Sequence, residues 1–114
     1  MTLQELTAMC LRFRDERDWK QFHTPKDLAI NLSIEAGELL ELMQWRNEAE
    51  LRDHLAKHQE DLADELADVL HSVLLLADAQ GIDLGAAFVN KMRKNEAKYP
   101  VEKARGNATK YDKL

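Results

Sequence analysis

Two pairs of acids, each three residues apart and each set in otherwise apolar sequence, constrain this chain more than any other feature. The first pair is Glu35 and Glu38, in Leu32-Ser33-Ile34-Glu35-Ala36-Gly37-Glu38-Leu39-Leu40. The second is Glu65 and Asp68, in Ala63-Asp64-Glu65-Leu66-Ala67-Asp68-Val69-Leu70. Residues three apart project from one side of an α-helix. On a wheel started at Asn31, Glu35 falls near ~40° and Glu38 near ~340°, in line with Leu28, Leu42 and Trp45. Leu32, Ile34, Leu40 and Met43 fill most of the remaining circumference, so the pattern predicts a helix that is apolar nearly all round and therefore buried. The second pair repeats the arrangement. On a wheel started at Asp61, Glu65 lies near ~40° and Asp68 near ~340°, with Ser72, Leu75 and Leu76 on the same arc. Asp64, His71 and Asp78 mark the expected solvent face.

A helical glutamate ordinarily faces water. These four share their arcs with large apolar side chains, and two such helices side by side would place four carboxylates around one point. Four anions do not share an apolar site unless something positive sits among them. Oxygen-only ligands suit a hard cation, Mg²⁺ or Mn²⁺, and Mg²⁺ held by protein carboxylates usually faces a phosphate. Glu35, Glu38, Glu65 and Asp68 are thus candidate metal ligands in an enzyme acting on a phosphorylated substrate. Glu41 and Asp61 fit either an outer role at the same site or simple exposure.

A chain of 114 residues with four glycines, two prolines and few β-branched residues reads as one all-α domain. The pattern predicts a first helix from about Thr2 to Trp19, and a second from the Thr24-Pro25 start signal to about Trp45. It predicts a short helix or structured loop over the charged stretch from Arg46 to about Gln59. A third long helix runs from about Glu60 to Ala79, ended by Gly81, and a fourth starts at Asp83 and ends before Pro100. Val101–Leu114 reads as an irregular, mobile, basic tail. The architecture expected is a four-helix-bundle-like fold, oligomeric because a short all-helical chain often completes its core with a second copy. A net charge of −5 argues against a general nucleic-acid binder. One cysteine, Cys10, excludes an internal disulfide and a cysteine-based zinc site. The N-terminus enters an amphipathic pattern directly, without a signal peptide, and no run is apolar enough to span a bilayer, so a soluble cytoplasmic protein is expected.

A phosphate substrate needs cations beyond the metal. Lys91, Lys94, Asn95 and Lys98 follow helical spacing near the end of the fourth helix and form one stripe. The same stripe is also what a solvated helix end, favourable to the helix dipole, would show. Trp19, which with Phe22 flanks the first connector, and Trp45 are candidates to stack a nucleobase or to fill the core.

Taken in order, these motifs resemble the MazG-like superfamily of all-α nucleoside triphosphate pyrophosphohydrolases, most closely its dCTP pyrophosphatase branch. The family pattern E-x-x-E, spacer, E-x-x-D matches Glu35, Glu38, Glu65 and Asp68. The likeness extends through Glu16-Arg17-Asp18-Trp19, Gln21-Phe22-His23, Gln44-Trp45, Lys91-Met92 and Tyr99-Pro100, nearly the whole chain. The resemblance implies hydrolysis of a (deoxy)nucleoside triphosphate, dCTP or a modified dCTP, to the monophosphate and pyrophosphate. It implies Mg²⁺ on the four acids, with Glu38 also orienting or deprotonating the attacking water. Trp19, His23 and Trp45 match positions near base and sugar, and Lys91 matches within Lys91-Met92, while Lys94 and Asn95 are substrate candidates from their helical spacing. Relatives assemble as homodimers or homotetramers. Animal members have His at Cys10 and Tyr at Ser72, both near the substrate, which puts the choice of base in doubt.

Two other readings compete. A carboxylate-bridged di-iron bundle needs Glu-x-x-His motifs on two helices, and only Asp68-x-x-His71 comes close. A non-enzymatic helical interaction module would pair its buried acids with a partner's Lys or Arg.

Overall fold

The computed structural model describes residues 1–114, and the chain is helical with no strand. Six helices follow one another: α1 (Leu3–Glu16), α2 (Pro25–Glu41), α3 (Glu48–Lys57), α4 (Gln59–Ala79), α5 (Leu84–Lys98) and α6 (Val101–Ala104). Two 3-10 turns, Lys20–Phe22 and Tyr111–Lys113, complete the order. The chain divides into two compact units, Met1–Ile82 and Asp83–Leu114. No single helix is long and apolar enough to cross a membrane.

Side-chain caps start four of the helices. Thr2 and Glu5 form a reciprocal capping box on α1, Thr24 accepts from the Asp27 N–H with Pro25 in the first turn of α2, and Asn47 caps α3. Asp83 caps α5 in the second unit. Each satisfies a backbone donor that the first helical turn leaves unpaired. Gly81, at φ 63°, takes the left-handed conformation that ends α4. The charged stretch after Trp45 is a helix, α3, separated from α4 by His58 alone.

In the first unit α4 is the central element. Its Ser72, Leu74, Leu75 and Ala77 are buried, and it packs on α2 most extensively, then on α1, and lightly on α3. The α2–α4 pair is antiparallel. Asn31 Nδ2 donates to Ser72 Oγ across it at 3.0 Å. Moving up α2 and down α4 from that bond leads to the two acid pairs, and moving the other way leads to the buried Leu28 and Leu75.

Four expectations change here. The helix through the first acid pair stops at Glu41, not at Trp45. The next turns tighten, with Leu42, Met43 and Gln44 N–H groups donating to carbonyls three residues back. Arg46 then caps the Leu42 and Gln44 carbonyls, and Trp45 sits at φ 67°. Helix α1 stops at Glu16, and Asp18 takes a left-handed φ of 54° before Trp19. Helix α2 is not buried all round: Leu28 is its only buried residue, while Ile30, Ile34 and Leu40 are 50%, 54% and 66% exposed. Apolar circumference alone does not bury a helix, and within this chain α2 is covered mainly by α4. Finally, the tail is not irregular throughout. It holds α6 and a 3-10 turn in which the Tyr111 ring meets Tyr99 edge-on at 6.1 Å and lies under the Lys98 ammonium at 4.7 Å.

Candidate active site

The antiparallel register brings the acids together. Glu35, Glu38, Glu65 and Asp68 each offer a carboxylate oxygen, all within 4.8 Å of one another. The first three are half-buried and Asp68 is exposed. Burial, then the charges of Glu38 and Asp68, push the Glu35 carboxyl above the usual carboxylate range. Burial, then the same two charges, do the same to Glu65. The charge of Glu38 acts on both, which makes it the hub of the cluster. Glu35 Oε2 and Glu65 Oε2 are buried without a hydrogen-bond partner. No Lys or Arg forms an ion pair with any of the four. Clustered anions with orphaned oxygens and no protein counter-charge fit a bound divalent cation, and the all-oxygen donor set fits Mg²⁺ or Mn²⁺.

A cavity of about 380 Å³ opens beside the cluster, and Glu35 and Asp68 form part of its lining. Phe13, Trp19 and Phe22 supply aromatic walls, and Leu28 and Leu75 also line it. Trp19, which follows Asp18 with its left-handed φ of 54°, lies edge-on to Phe13 at 5.8 Å. His23, at the end of the Lys20–Phe22 turn, lines the cavity too. Burial, then Arg14 and His71, push its imidazole below the usual histidine range, so it is neutral at pH 7. Ser72 is 2% exposed and bound to Asn31.

Of the expected site residues, the structure gathers the four acids, Trp19, His23 and Ser72 into one region of the first unit. Trp45 is not with them. Leaving the helix at Glu41 takes it off the arc of Glu35 and Glu38; it is 91% exposed and lines no part of the cavity. Glu41 is exposed and outside the acid cluster. Cys10, on α1, is half-buried and does not line the cavity. Lys91, Lys94 and Asn95 lie on α5 of the second unit, the two lysines exposed and Asn95 half-exposed.

The wheel placed His71 on the solvent face, and the structure moves it. Its ring meets Phe13 edge-on at 6.0 Å, and it lines the cavity. A wheel describes one helix, whereas α4 is covered by α1 on one side and α2 on another. His71 contributes no atom to the acid cluster, so a di-iron arrangement has no histidine ligand here. Arg14 and Asn31 also line the cavity, and sequence patterning singled out neither. No local motif marks them; only the crossing of α1, α2 and α4 does.

A family model described as MazG-like matches residues 30–114. The chain is similar to dCTP pyrophosphatase 1 of Rattus norvegicus, at 41% identity over 99% of this chain and 68% of the rat protein. It is 37% identical to dCTP pyrophosphatase 1 of Homo sapiens over the same shares of the two chains. Among solved structures it resembles a pyrophosphatase from Archaeoglobus fulgidus, with a TM-score of 0.80 and 44% identity, covering 85% of this chain and 91% of that one. With its acid pairs gathered by the fold as the motif requires, and with these likenesses along almost its full length, the chain belongs to the MazG-like family.

Proposed function

We propose that this nucleoside triphosphate pyrophosphatase uses Mg²⁺ (or Mn²⁺) to cleave a deoxycytidine-type triphosphate, dCTP or a ring-modified dCTP, between the α and β phosphates, a nucleotide-pool housecleaning reaction. One observation carries the reading. A cluster of four carboxylates that suits a hard cation borders a partly aromatic cavity of nucleoside dimensions, and Glu35 and Asp68 belong to both. The dCTP pyrophosphatases that the chain resembles support the choice of substrate.

Glu35, Glu38, Glu65 and Asp68 would hold the metal. When bound, it neutralises charge developing on the phosphate oxygens and makes water a better nucleophile. Glu38, whose charge acts on both Glu35 and Glu65, would orient the attacking water and take its proton. The water oxygen bonds to the α-phosphorus, the α–β bridging oxygen departs with pyrophosphate, and the nucleoside monophosphate remains. Trp19 and Phe22 offer flat apolar surface to a base, and His23 offers one donor and one acceptor as a neutral imidazole. Lys91 and Lys94, with Asn95, have the charge and spacing to hold the outer phosphates. Trp45 would stack on nucleotide only from its exposed turn.

The test is pyrophosphate release with Mg²⁺ across a panel of standard and ring-modified deoxynucleoside triphosphates, with the products separated by chromatography. Monophosphate and pyrophosphate in equal amounts, with a deoxycytidine-type substrate fastest, are expected. Diphosphate and orthophosphate as first products would overturn the reading.

A further inference from the structure

The end of α1 carries an arrangement that metal chemistry does not use. The helix stops at Glu16, and Arg17, its cap, sends its own N–H to the Arg14 carbonyl at 3.2 Å. The Phe13 carbonyl, four residues back, is taken instead by Arg17 Nη1 at 2.9 Å. A carbonyl in the last turn lacks a helical donor, and a basic side chain commonly supplies one. The same turn anchors Trp19, whose N–H also donates to the Arg14 carbonyl, at 3.1 Å.

Arg17 has a second contact with the same residue. Its guanidinium carbon lies 3.7 Å from the centroid of the Phe13 ring. That ring joins two walls of the cavity. Trp19, from the connector after α1, meets it at 5.8 Å and 75°, and His71, from α4, meets it at 6.0 Å and 84°. Phe13, Trp19 and His71 all line the cavity, whereas Arg17 does not. Arg17 therefore touches the cavity through Phe13.

Phe13 is 41% exposed, so burial alone does not hold its ring. A guanidinium tied to the carbonyl of that same residue and laid across its ring restricts it further. Arginine suits both tasks, because its planar fork stacks on an aromatic face while one N–H donates; an ammonium has no plane to stack. The ion pair of Arg17 with Glu16, at 3.8 Å between exposed side chains, is too weak to account for the placement.

Resting on the function proposed above, we infer that Arg17 is a positioning residue for the nucleoside: its stack on Phe13 sets the wall that Phe13, Trp19 and His71 present to base and sugar.

Calorimetry with deoxycytidine, which carries no phosphate, separates positioning from attraction of an anion by a cation. Arg17→Leu is expected to weaken deoxycytidine binding about fivefold, the scale of one exposed cation–aromatic contact with its hydrogen bond. Arg17→Lys keeps the charge without the plane, so it should recover less than half of that loss. In a Phe13→Leu background, Arg17→Leu should change the affinity by less than about twofold, because the residue it acts through is gone. The rise in melting temperature on adding Mg²⁺ should be equal in every variant, since neither residue belongs to the acid cluster. A merely structural defect would lower that rise along with the affinity.

Ligand-free chains give a second reading. With Trp45→Phe in place Trp19 is the sole tryptophan, and Arg17→Leu should shift its emission maximum. Phe13→Leu should give a shift to which Arg17→Leu adds nothing. Unchanged deoxycytidine affinity in Arg17→Leu, full recovery in Arg17→Lys, or equal losses with and without Phe13 would overturn the inference. The two proposals separate cleanly. Trp19 emission that depends on Arg17 through Phe13, without pyrophosphate release from any triphosphate, supports the positioned wall and removes the reaction. Pyrophosphate release with a KM indifferent to Arg17→Leu removes positioning alone.

Discussion

Glu38 stands at the centre of the acid cluster, the neighbour whose charge acts on both Glu35 and Glu65. Glu38→Gln and Asp68→Asn keep shape and remove charge, so each is expected to lower pyrophosphate release by about 100-fold or more with far-ultraviolet circular dichroism unchanged. Wild-type turnover in either variant would dismantle the four-carboxylate site. The same cluster sets a pH dependence. The carboxyls of Glu35 and Glu65 titrate above their unfolded values, so the folded state binds protons more readily. Their contribution to stability is present below the unfolded values and is lost as pH rises through the raised folded ones. A divalent cation replaces those protons. The rise in melting temperature on adding Mg²⁺ should therefore be small near pH ~5 and larger near pH ~8. Equal gains at both pH values, or none, would count against a cation at these acids.

Among the elements, α4 carries the first unit, with most of the buried side chains and contacts to α1, α2 and α3. Leu74, 3% exposed, is its best-covered large side chain. Leu74→Ala should cost about 2–5 kcal/mol in urea unfolding, lost transfer energy plus a cavity that neighbouring helices close only partly. A change below ~1 kcal/mol would mean that α4 is not the core element described. Helix α2 differs in kind. Its acid-bearing side meets α4, while Ile30, Ile34 and Leu40 stay half or more exposed.

For the whole molecule that exposed side is the main unmet demand, since apolar surface of this kind favours a protein neighbour over water. The protein is expected to be a homodimer or homotetramer, with a light-scattering mass at micromolar concentration at least twice the 13.1 kDa of one chain. Ile34→Lys should shift the population toward smaller species. A fully active monomer would leave the apolar face of α2 unexplained.

Sequence alone determined what depends on neighbours along the chain. Thr24-Pro25, Gly81 and Asp83 act within one helical turn, so helix limits there were legible. Acid spacing is also local, and once two helices run antiparallel with Asn31 against Ser72 it brings four carboxylates together. The tertiary structure decided whatever depends on how many helices cover a face. His71 turned inward because α1 crosses α4 on the side that a single-helix wheel assigned to water. Trp45 left its arc because backbone tightening after Glu41 and the Arg46 cap end the helix, and no side-chain periodicity records a left-handed φ. Arg14 and Asn31 entered the cavity lining only through the crossing of α1, α2 and α4. Periodicity counts side chains on one axis; burial and cavity lining belong to the space between axes, which only the folded chain defines.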